Sequence, residues 1–148
     1  MTRRFGEAVL PKQSYTPRPG VYGIISHGDQ VLLTSQSGEW QLPGGGIDPG
    51  EQPVHALHRE AKEETGWKIA APRKLGAFRR FCYMPEYDLW AEKICHVYHA
   101  LAIYPVCPPT EPDHIAIMVP RDMAADLLAV EGDAYFIQRW AQGHFFVN

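Results

Sequence analysis

The sequence predicts an α+β or α/β layered domain in which helices pack on a mixed β-sheet. Three observations predict this class: β-rich runs on both sides of one strongly helical segment, a further apolar run, and helical spacing near the C terminus. Strands interrupted by one helix and followed by others are typical of helices packed on a sheet. With 148 residues and 45% apolar composition, the chain is long enough for one ordinary core and short for a second domain.

The first part of the chain is expected to form an irregular arm and a β-hairpin. Residues 1–19 contain three prolines and little periodicity, so we expect an irregular N-terminal arm, followed by a single domain over 20–148. Two β-rich runs, 21–26 and 30–35, are joined by His-Gly-Asp, which is typical of a hairpin turn. WQLPGGG, residues 40–46, then leads from a short strand into a glycine-rich loop.

A helix is predicted over residues 53–65. Pro53 suits a first helical turn, where its missing N–H would have no partner, and Gly66 stands where a C-terminal cap is expected. Apolar side chains fall on one stripe of this helix, at Val54, Leu57 and Ala61. This stripe is expected to bury the helix against the sheet.

The second half of the chain predicts three more strands and two helices. Strands are expected over 74–83, 92–104 and 115–120, the last ended by a proline. Helical spacing follows in residues 121–130 and 133–142, with Gly132 expected to separate the two helices.

Composition excludes several function classes. A formal net charge of -3 and a pI near 6.1 leave no excess of cations to neutralise a nucleic acid polymer or an anionic membrane. No run of 18 consecutive apolar residues is present, and the first residues hold no apolar run long enough for a signal peptide, so we expect none. Three cysteines, Cys82, Cys95 and Cys107, do not make a complete disulfide framework, so we expect a reducing, cytoplasmic location.

Four glutamates crowd around the predicted helix. At about 100° per residue, Glu60, Glu63 and Glu64 share an arc of roughly 100°, and like charges at this spacing repel. Glu51 precedes them, and Arg59, four residues before Glu63, can pair with one carboxylate and hold its orientation, but one cation cannot neutralise three anions. Hard cations such as Mg²⁺ or Mn²⁺ bind carboxylate oxygens and bridge to phosphates, so the cluster indicates a metal site. The alternative is a solvated acidic face.

The glutamates belong to a longer spaced pattern. From Gly45 to Trp67 the residues read G-x5-E-x7-R-E-A-x-E-E-x-G-W, and chance agreement at one starting point is on the order of 10⁻⁸. This is the spacing of the Nudix box, and the chain resembles the Nudix (MutT-like) hydrolase family. WQLPGG before the box and the preceding hairpin are also similar to that family.

The resemblance implies a fold, an activity and a set of metal ligands. Family members place a mixed sheet between helices and hydrolyse a pyrophosphate bond in a nucleoside diphosphate linked to another group. Carried onto this chain, Glu60, Glu63 and Glu64 are expected to bind Mg²⁺ or Mn²⁺, with the Gly44 carbonyl as a further ligand. The expected partner is therefore a small nucleoside diphosphate derivative.

The remaining catalytic roles follow from the same resemblance. Glu51 is expected near the metal through water or as a residue that orients the loop, and Arg59 is expected to hold a glutamate by an ion pair. Glu63 or Glu64 is favoured as the general base. The position of a later acid, which some family members use, stays open among Glu86, Asp88, Glu111 and Asp113, and His114 stands near it.

Substrate contacts are expected from the strand over 74–83. Arg79 and Arg80 are neighbours, so one of them is expected to face the site and contact phosphate; two solvated edge charges are the alternative. Tyr83 is a candidate for stacking on a base, although packing is the commoner role of such rings. The arm and the exposed aromatic residues favour a homodimer.

Two functions compete at this stage. The four glutamates of the box favour a metal-dependent pyrophosphohydrolase, whereas a Nudix-fold module that binds a nucleotide without hydrolysis is the alternative. A purely structural domain leaves the glutamate cluster unexplained.

Overall fold

A single mixed β-sheet organises the chain. The computed structural model describes residues 2–111 and 113–145. In chain order the elements are β1 (Arg3–Phe5), β2 (Thr16–His27), β3 (Gln30–Gln36), β4 (Glu39–Gln41), β5 (Gly44–Gly46), α1 (Pro53–Thr65), β6 (Trp67–Met84), a one-turn 3-10 helix (Pro85–Tyr87), β7 (Leu89–Pro105), β8 (Ile115–Pro120), α2 (Ala124–Leu127) and α3 (Glu131–Ala141). None of the helices in the described ranges is long and apolar enough to cross a membrane.

The sheet mixes parallel and antiparallel pairs. Its order is β1-β6-β7-β2-β3-β4, with β5 paired to β2 and β8 paired to β3. β1 runs parallel to β6 and β2 parallel to β7, whereas the other pairs are antiparallel. The predicted hairpin is confirmed, since β2 and β3 pair at His27 and Gln30 across a two-residue turn.

Apolar side chains alternate between the two faces of the sheet, and each face is covered by helix. On β2, Val21 and Ile25 pack in the cluster that contains Leu57 of α1, whereas Ile24 packs in the cluster that contains Trp140 of α3. Side chains that alternate along a strand serve two layers at once. The predicted α/β/α arrangement with a mixed sheet is thus confirmed.

The helix that carries the glutamates has the predicted bounds, Pro53–Thr65. Gly66 caps it in the left-handed conformation at φ 76°, and its N–H donates to the carbonyl of Lys62. A Cβ at Gly66 would lie 1.8 Å from the Cys107 carbonyl oxygen, so the cap also brings the later loop close to the helix end. Of the predicted stripe, Val54 is the exception, since it is 37% exposed.

The N-terminal arm contains more strand than its prolines indicate. Within the predicted irregular stretch 1–19, Arg3–Phe5 forms β1 against β6, and β2 already begins at Thr16. Phe5 is buried and meets the ring of Phe78 edge to face at 5.7 Å between centroids. One buried aromatic side chain therefore orders a segment with no strand periodicity of its own. The boundary of the domain at residue 20 stays a prediction.

The prediction that Gly132 separates two helices was wrong. Gly132 lies in the first turn of α3, and a Cβ there would lie 2.3 Å from the ring of Phe78. The glycine is needed for close packing of helix on sheet, while residues 128–130 form the break after the short α2.

Asp133 ties α3 to the loop that precedes the glycines. Its carboxylate is 3% exposed, and Oδ2 accepts a hydrogen bond from the Leu42 N–H at 3.2 Å. Burial raises the pKa of Asp133 to about 7, an effect that the Leu42 bond opposes.

This burial predicts a pH-dependent stability that Asp133→Asn removes. An unfolded aspartate releases its proton near pH 4, whereas folded Asp133 keeps it to about pH 7, so stability falls as pH rises through this window. The free energy of unfolding of the native protein, relative to the variant, should fall by on the order of 3 kcal/mol between pH 4 and 8. Urea titrations of both proteins across this range test it, and a difference that is constant with pH would contradict it.

Candidate active site

The glycine run lies against the side chains of α1. β5 pairs with β2 through Tyr22 and Gly44, and the Gly44 N–H donates to Glu64 Oε1 at 2.8 Å. A Cβ at Gly44 would lie 2.1 Å from the Val21 carbonyl oxygen, and one at Gly45 would lie 2.7 Å from Glu60 Oε1. Glycine is therefore required here so that backbone and carboxylates come into contact.

Arg59 joins most of the glutamates of the box. Its guanidinium binds Glu51 through two N–H groups, each 2.9 Å from a carboxylate oxygen, and donates to Glu60 at 2.9 Å and Glu63 at 3.4 Å. The ion pair with Arg59 lowers the pKa of Glu51 to about 2. A further N–H donates to the Gly46 carbonyl at 3.1 Å, so Arg59 also ties the helix to the glycine loop.

The three glutamates on α1 itself, Glu60, Glu63 and Glu64, have raised pKa values. Burial raises the pKa of Glu60 and Glu63, an effect that Arg59 opposes, and it raises the pKa of Glu64 to about 8 although the Gly44 N–H lowers it. Glu111 raises the pKa of all three in addition. Desolvated carboxylates that repel one another are stabilised by a cation.

Of the four candidates for a later acid, Glu111 joins this cluster. Its N–H donates to the carbonyl oxygen of Glu63 at 3.0 Å, which holds the loop after β7 against the helix. The others lie elsewhere: Glu86 lines the far wall of the cleft described below, Asp88 accepts a hydrogen bond from Tyr83, and Asp113 is an exposed turn residue at φ 63°.

His114 is a site residue whose role the sequence does not reveal. Its Nε2 lies 3.2 Å from Glu64 Oε2, and both side chains are less than a tenth exposed. From the sequence, His114 is noticed only because it stands near a position where some relatives have an acid. Nothing in the spacing predicts that the loop after β7 folds back to the end of α1.

A cleft of about 960 Å³ opens beside the glycine loop. Glu51 and Glu60 line it, together with the three glycines, whereas Glu63 and Glu64 lie outside its walls. The far walls come from β2, β3, β4, β7 and the tip of the β6–β7 hairpin, and they comprise Arg18, Tyr22, Gln36, Glu39, Gln41, Met84, Glu86, Tyr87 and Lys93.

The cations of the cleft are not those expected from the sequence. Arg18 and Lys93 are paired neighbours on β2 and β7 and both line the cleft. Arg79 instead pairs with Glu92 at 3.3 Å, and Tyr83 donates to Asp88. Arg80 lines a small second pocket next to Asp133, which shares Tyr22, Gln41 and Lys93 with the cleft. None of Arg79, Arg80 and Tyr83 borders the cleft. Arg18 and Lys93, although distant in sequence, both border it because β2 pairs in parallel with β7.

The donor set suits a hard divalent cation. In the described ranges no three His, Cys, Asp or Glu side chains already converge as a closed metal cage. Mg²⁺ does not require such a cage, because it takes one or two carboxylates and keeps water or phosphate oxygens as its other ligands. Glu60, Glu63 and Glu64 offer oxygen only, and burial, together with the neighbouring carboxylates, raises the pKa of each.

Comparisons with known proteins agree with this geometry. A family model described as NUDIX domain matches residues 16–140. A putative 8-oxo-dGTP diphosphatase from Bacillus subtilis is 36% identical over 69 residues, 45% of this chain and 46% of that protein. An RNA pyrophosphohydrolase from Halorhodospira halophila is 43% identical over 67 residues, 43% of this chain and 37% of that protein. The chain therefore spans less than half the length of these curated relatives.

Solved structures share the fold. A MutT protein from Bacillus halodurans superposes with a TM-score of 0.71 at 23% identity, covering 84% of this chain and 82% of that one. A putative Nudix hydrolase family member from Chromobacterium violaceum has a TM-score of 0.63 at 25% identity, covering 90% of this chain and 80% of that one.

The contact between Gly45 and Glu60 predicts the effect of one methyl group. Gly45→Ala should push Glu60 away from Arg59 and lower the affinity for Mn²⁺ about 10-fold or more, as expected when the support of a metal ligand is lost. Gly46→Ala is the matched control, because a Cβ there meets nothing within 4 Å. Titration of Mn²⁺ followed by electron paramagnetic resonance tests the pair, and equal affinities in the two variants would refute the steric argument.

Proposed function

The chain belongs to the Nudix family, and from this premise we propose that it is a metal-dependent pyrophosphohydrolase acting on a nucleoside diphosphate linked to another group. The observation that carries the proposal is the desolvated cluster of Glu60, Glu63 and Glu64 against the glycine loop. Arg59 is the cation that pairs with this cluster, and it is already shared with Glu51. Mg²⁺ or Mn²⁺ is the proposed cofactor.

Each residue of the box has a separate role in this proposal. Glu60, Glu63 and Glu64, with the Gly44 carbonyl, would hold the cation, which when bound would orient and acidify a water and neutralise phosphate charge. Glu51 holds Arg59, and Arg59 holds the carboxylates and the loop. Glu63 or Glu64 would accept the proton of the attacking water, and burial raises the pKa of each, which makes each a stronger base.

The charge of the cleft supports the need for metal. The described residues that line it include five carboxylates, Glu39, Asp48, Glu51, Glu60 and Glu86, against the two cations Arg18 and Lys93. A pyrophosphate would meet net negative charge there unless a divalent cation came between. Arg18 and Lys93 lie away from the box and are placed to contact the more distant phosphate or the leaving group.

The shape of the cleft and the names of the similar proteins narrow the class of substrate. The cleft is large enough for a nucleotide, and the exposed ring of Tyr87, with Arg18 at 4.4 Å from its centroid, offers a platform for a base. Relatives named for 8-oxo-dGTP and for RNA make an oxidised nucleoside triphosphate and the 5′ end of an RNA two concrete candidates. The cytoplasmic location and the homodimer stay predictions, and an RNA substrate would overturn the predicted exclusion of a nucleic acid polymer.

Isosteric removal of charge tests the proposal. Glu63→Gln and Glu64→Gln should each lower turnover by about 100-fold or more, because each removes a ligand charge or the proton acceptor. The panel is (d)NTPs, 8-oxo-dGTP, dinucleoside polyphosphates, ADP-ribose, nucleotide sugars and 5′-triphosphorylated RNA. Release of phosphate, pyrophosphate and nucleotide is measured with Mg²⁺ or Mn²⁺ and again with EDTA.

Glu131→Gln, an identical change on the exposed side of α3, is the matched control and should keep native turnover. Undiminished turnover in both site variants, or turnover that survives EDTA, would sink the proposal. If the wild type binds nucleotide tightly and hydrolyses no member of the panel, the non-catalytic binding module is favoured instead.

A second test concerns the cations of the cleft. Lys93→Met should raise KM about 10-fold and change kcat little, because a charged hydrogen bond to substrate phosphate contributes equally before and during the reaction. Arg79→Met should leave both constants near native values, since Arg79 pairs with Glu92 outside the cleft. The opposite result, a raised KM in Arg79→Met and a native KM in Lys93→Met, would indicate that the substrate binds on the other face of the hairpin.

A further inference from the structure

The pair of His114 with Glu64 is more deeply buried than any other ion pair of the described site. The imidazole side chain is 6% exposed and the carboxylate 8%, with 3.2 Å between Nε2 and Oε2. By contrast, the side chain of Arg59 is 30% exposed and that of Glu63 is 33% exposed. Water therefore competes little for the His114 contact, and the surrounding protein groups determine the orientation of the two side chains.

The backbone brings His114 to this place independently of its ring. Thr110 and Glu111 both donate their N–H groups to the Glu63 carbonyl oxygen, at 2.8 and 3.0 Å, and the His114 N–H reaches the Glu111 carbonyl at 3.4 Å. β8 then begins at Ile115 and pairs with β3. Because backbone bonds on both sides anchor the loop, a change of the His114 side chain should leave the loop docked.

The partners of the ring decide where its proton lies. Nδ1 is buried and has no hydrogen-bond partner among the described residues. A buried N–H without an acceptor is rarer in proteins than a buried acceptor without a donor. A proton on Nε2 rather than on Nδ1 therefore suits this environment, and from there it would donate to Glu64 Oε2, 3.2 Å away.

Both oxygens of Glu64 then accept a hydrogen bond. The Gly44 N–H holds Oε1 from the glycine loop, and His114 holds Oε2 from the loop before β8. Since each oxygen accepts one bond and keeps a second lone pair, the carboxylate is fixed in direction and can still bind a cation.

From this geometry we propose that His114 is a positioning residue that orients the Glu64 carboxylate for a divalent cation. The inference rests on the proposed function for the role of Glu64 as a ligand. Hydrogen bonds that orient ligating carboxylates typically change metal affinity 10- to 100-fold when they are lost. His114 acts through Glu64 and is assigned no contact with substrate.

The experiment compares His114→Gln, His114→Asn and His114→Leu. The amide nitrogen of glutamine can occupy the position of Nε2, whereas that of the shorter asparagine matches Nδ1 and leucine has no donor. Affinity for Mn²⁺ is measured by electron paramagnetic resonance without substrate. Leucine and asparagine should lower the affinity about 10- to 100-fold, and glutamine should restore it to within a few-fold of the native value.

Two controls separate positioning from folding. Val119→Ala on β8 removes buried apolar volume away from the carboxylates and should lower the melting temperature in EDTA without changing Mn²⁺ affinity. In the unsubstituted protein, imidazole nitrogen NMR in EDTA, at a pH above 8 so that Glu64 is ionised, should find the His114 proton on Nε2. This measurement remains decisive if a His114 variant fails to fold.

The possible results are distinguishable. Native affinity in His114→Leu, glutamine no better than leucine, or the proton on Nδ1 would each overturn the positioning role. Absence of Mn²⁺ binding in the unsubstituted protein would instead refute the metal in the proposed function, and with it this inference. Native Mn²⁺ binding without hydrolysis of any panel member would leave the role of His114 intact while removing the proposed activity.

Discussion

Repulsion among carboxylates at one end of α1 is the constraint on which the rest of the site depends. Arg59 relieves it for Glu51, Glu60 and Glu63, and the Gly44 N–H relieves it for Glu64. These contacts are spread over two loops and a helix, so each element needs the others in place. Burial raises the pKa of Glu64 to about 8, and repulsion from Glu60, Glu111 and Glu63 adds to this effect.

The two layers of helix serve this site in different ways. α1 carries the carboxylates, while α3, on the opposite face of the sheet, supports the loop that meets them, because buried Asp133 accepts the Leu42 N–H two residues before Gly44. The sheet between them aligns β5 beside α1 through its pairing with β2. A substitution in α3 can therefore disturb the glycine loop without contact with any glutamate of the box.

What the sequence predicted well is local, and what it missed depends on distant pairing. The helix over 53–65 and its Gly66 cap follow from residues within one or two turns, and both are confirmed. Gly132 was misjudged because its reason lies across the sheet, in the ring of Phe78. The glutamates were found from spacing on one helix, whereas Lys93 reaches the cleft only through the register of β7 with β2, a relation that periodicity does not encode.

The same distinction explains why one loop acid could be selected only from the structure. The sequence left four carboxylates as candidates for the later acid. Glu111 lies at Glu63 because the loop after β7 donates two backbone N–H groups to the end of α1. Gly66 permits that approach, since any side chain there would collide with the Cys107 carbonyl. The glycine that ends the helix thus also decides which later residues, Glu111 and His114 among them, can reach its glutamates.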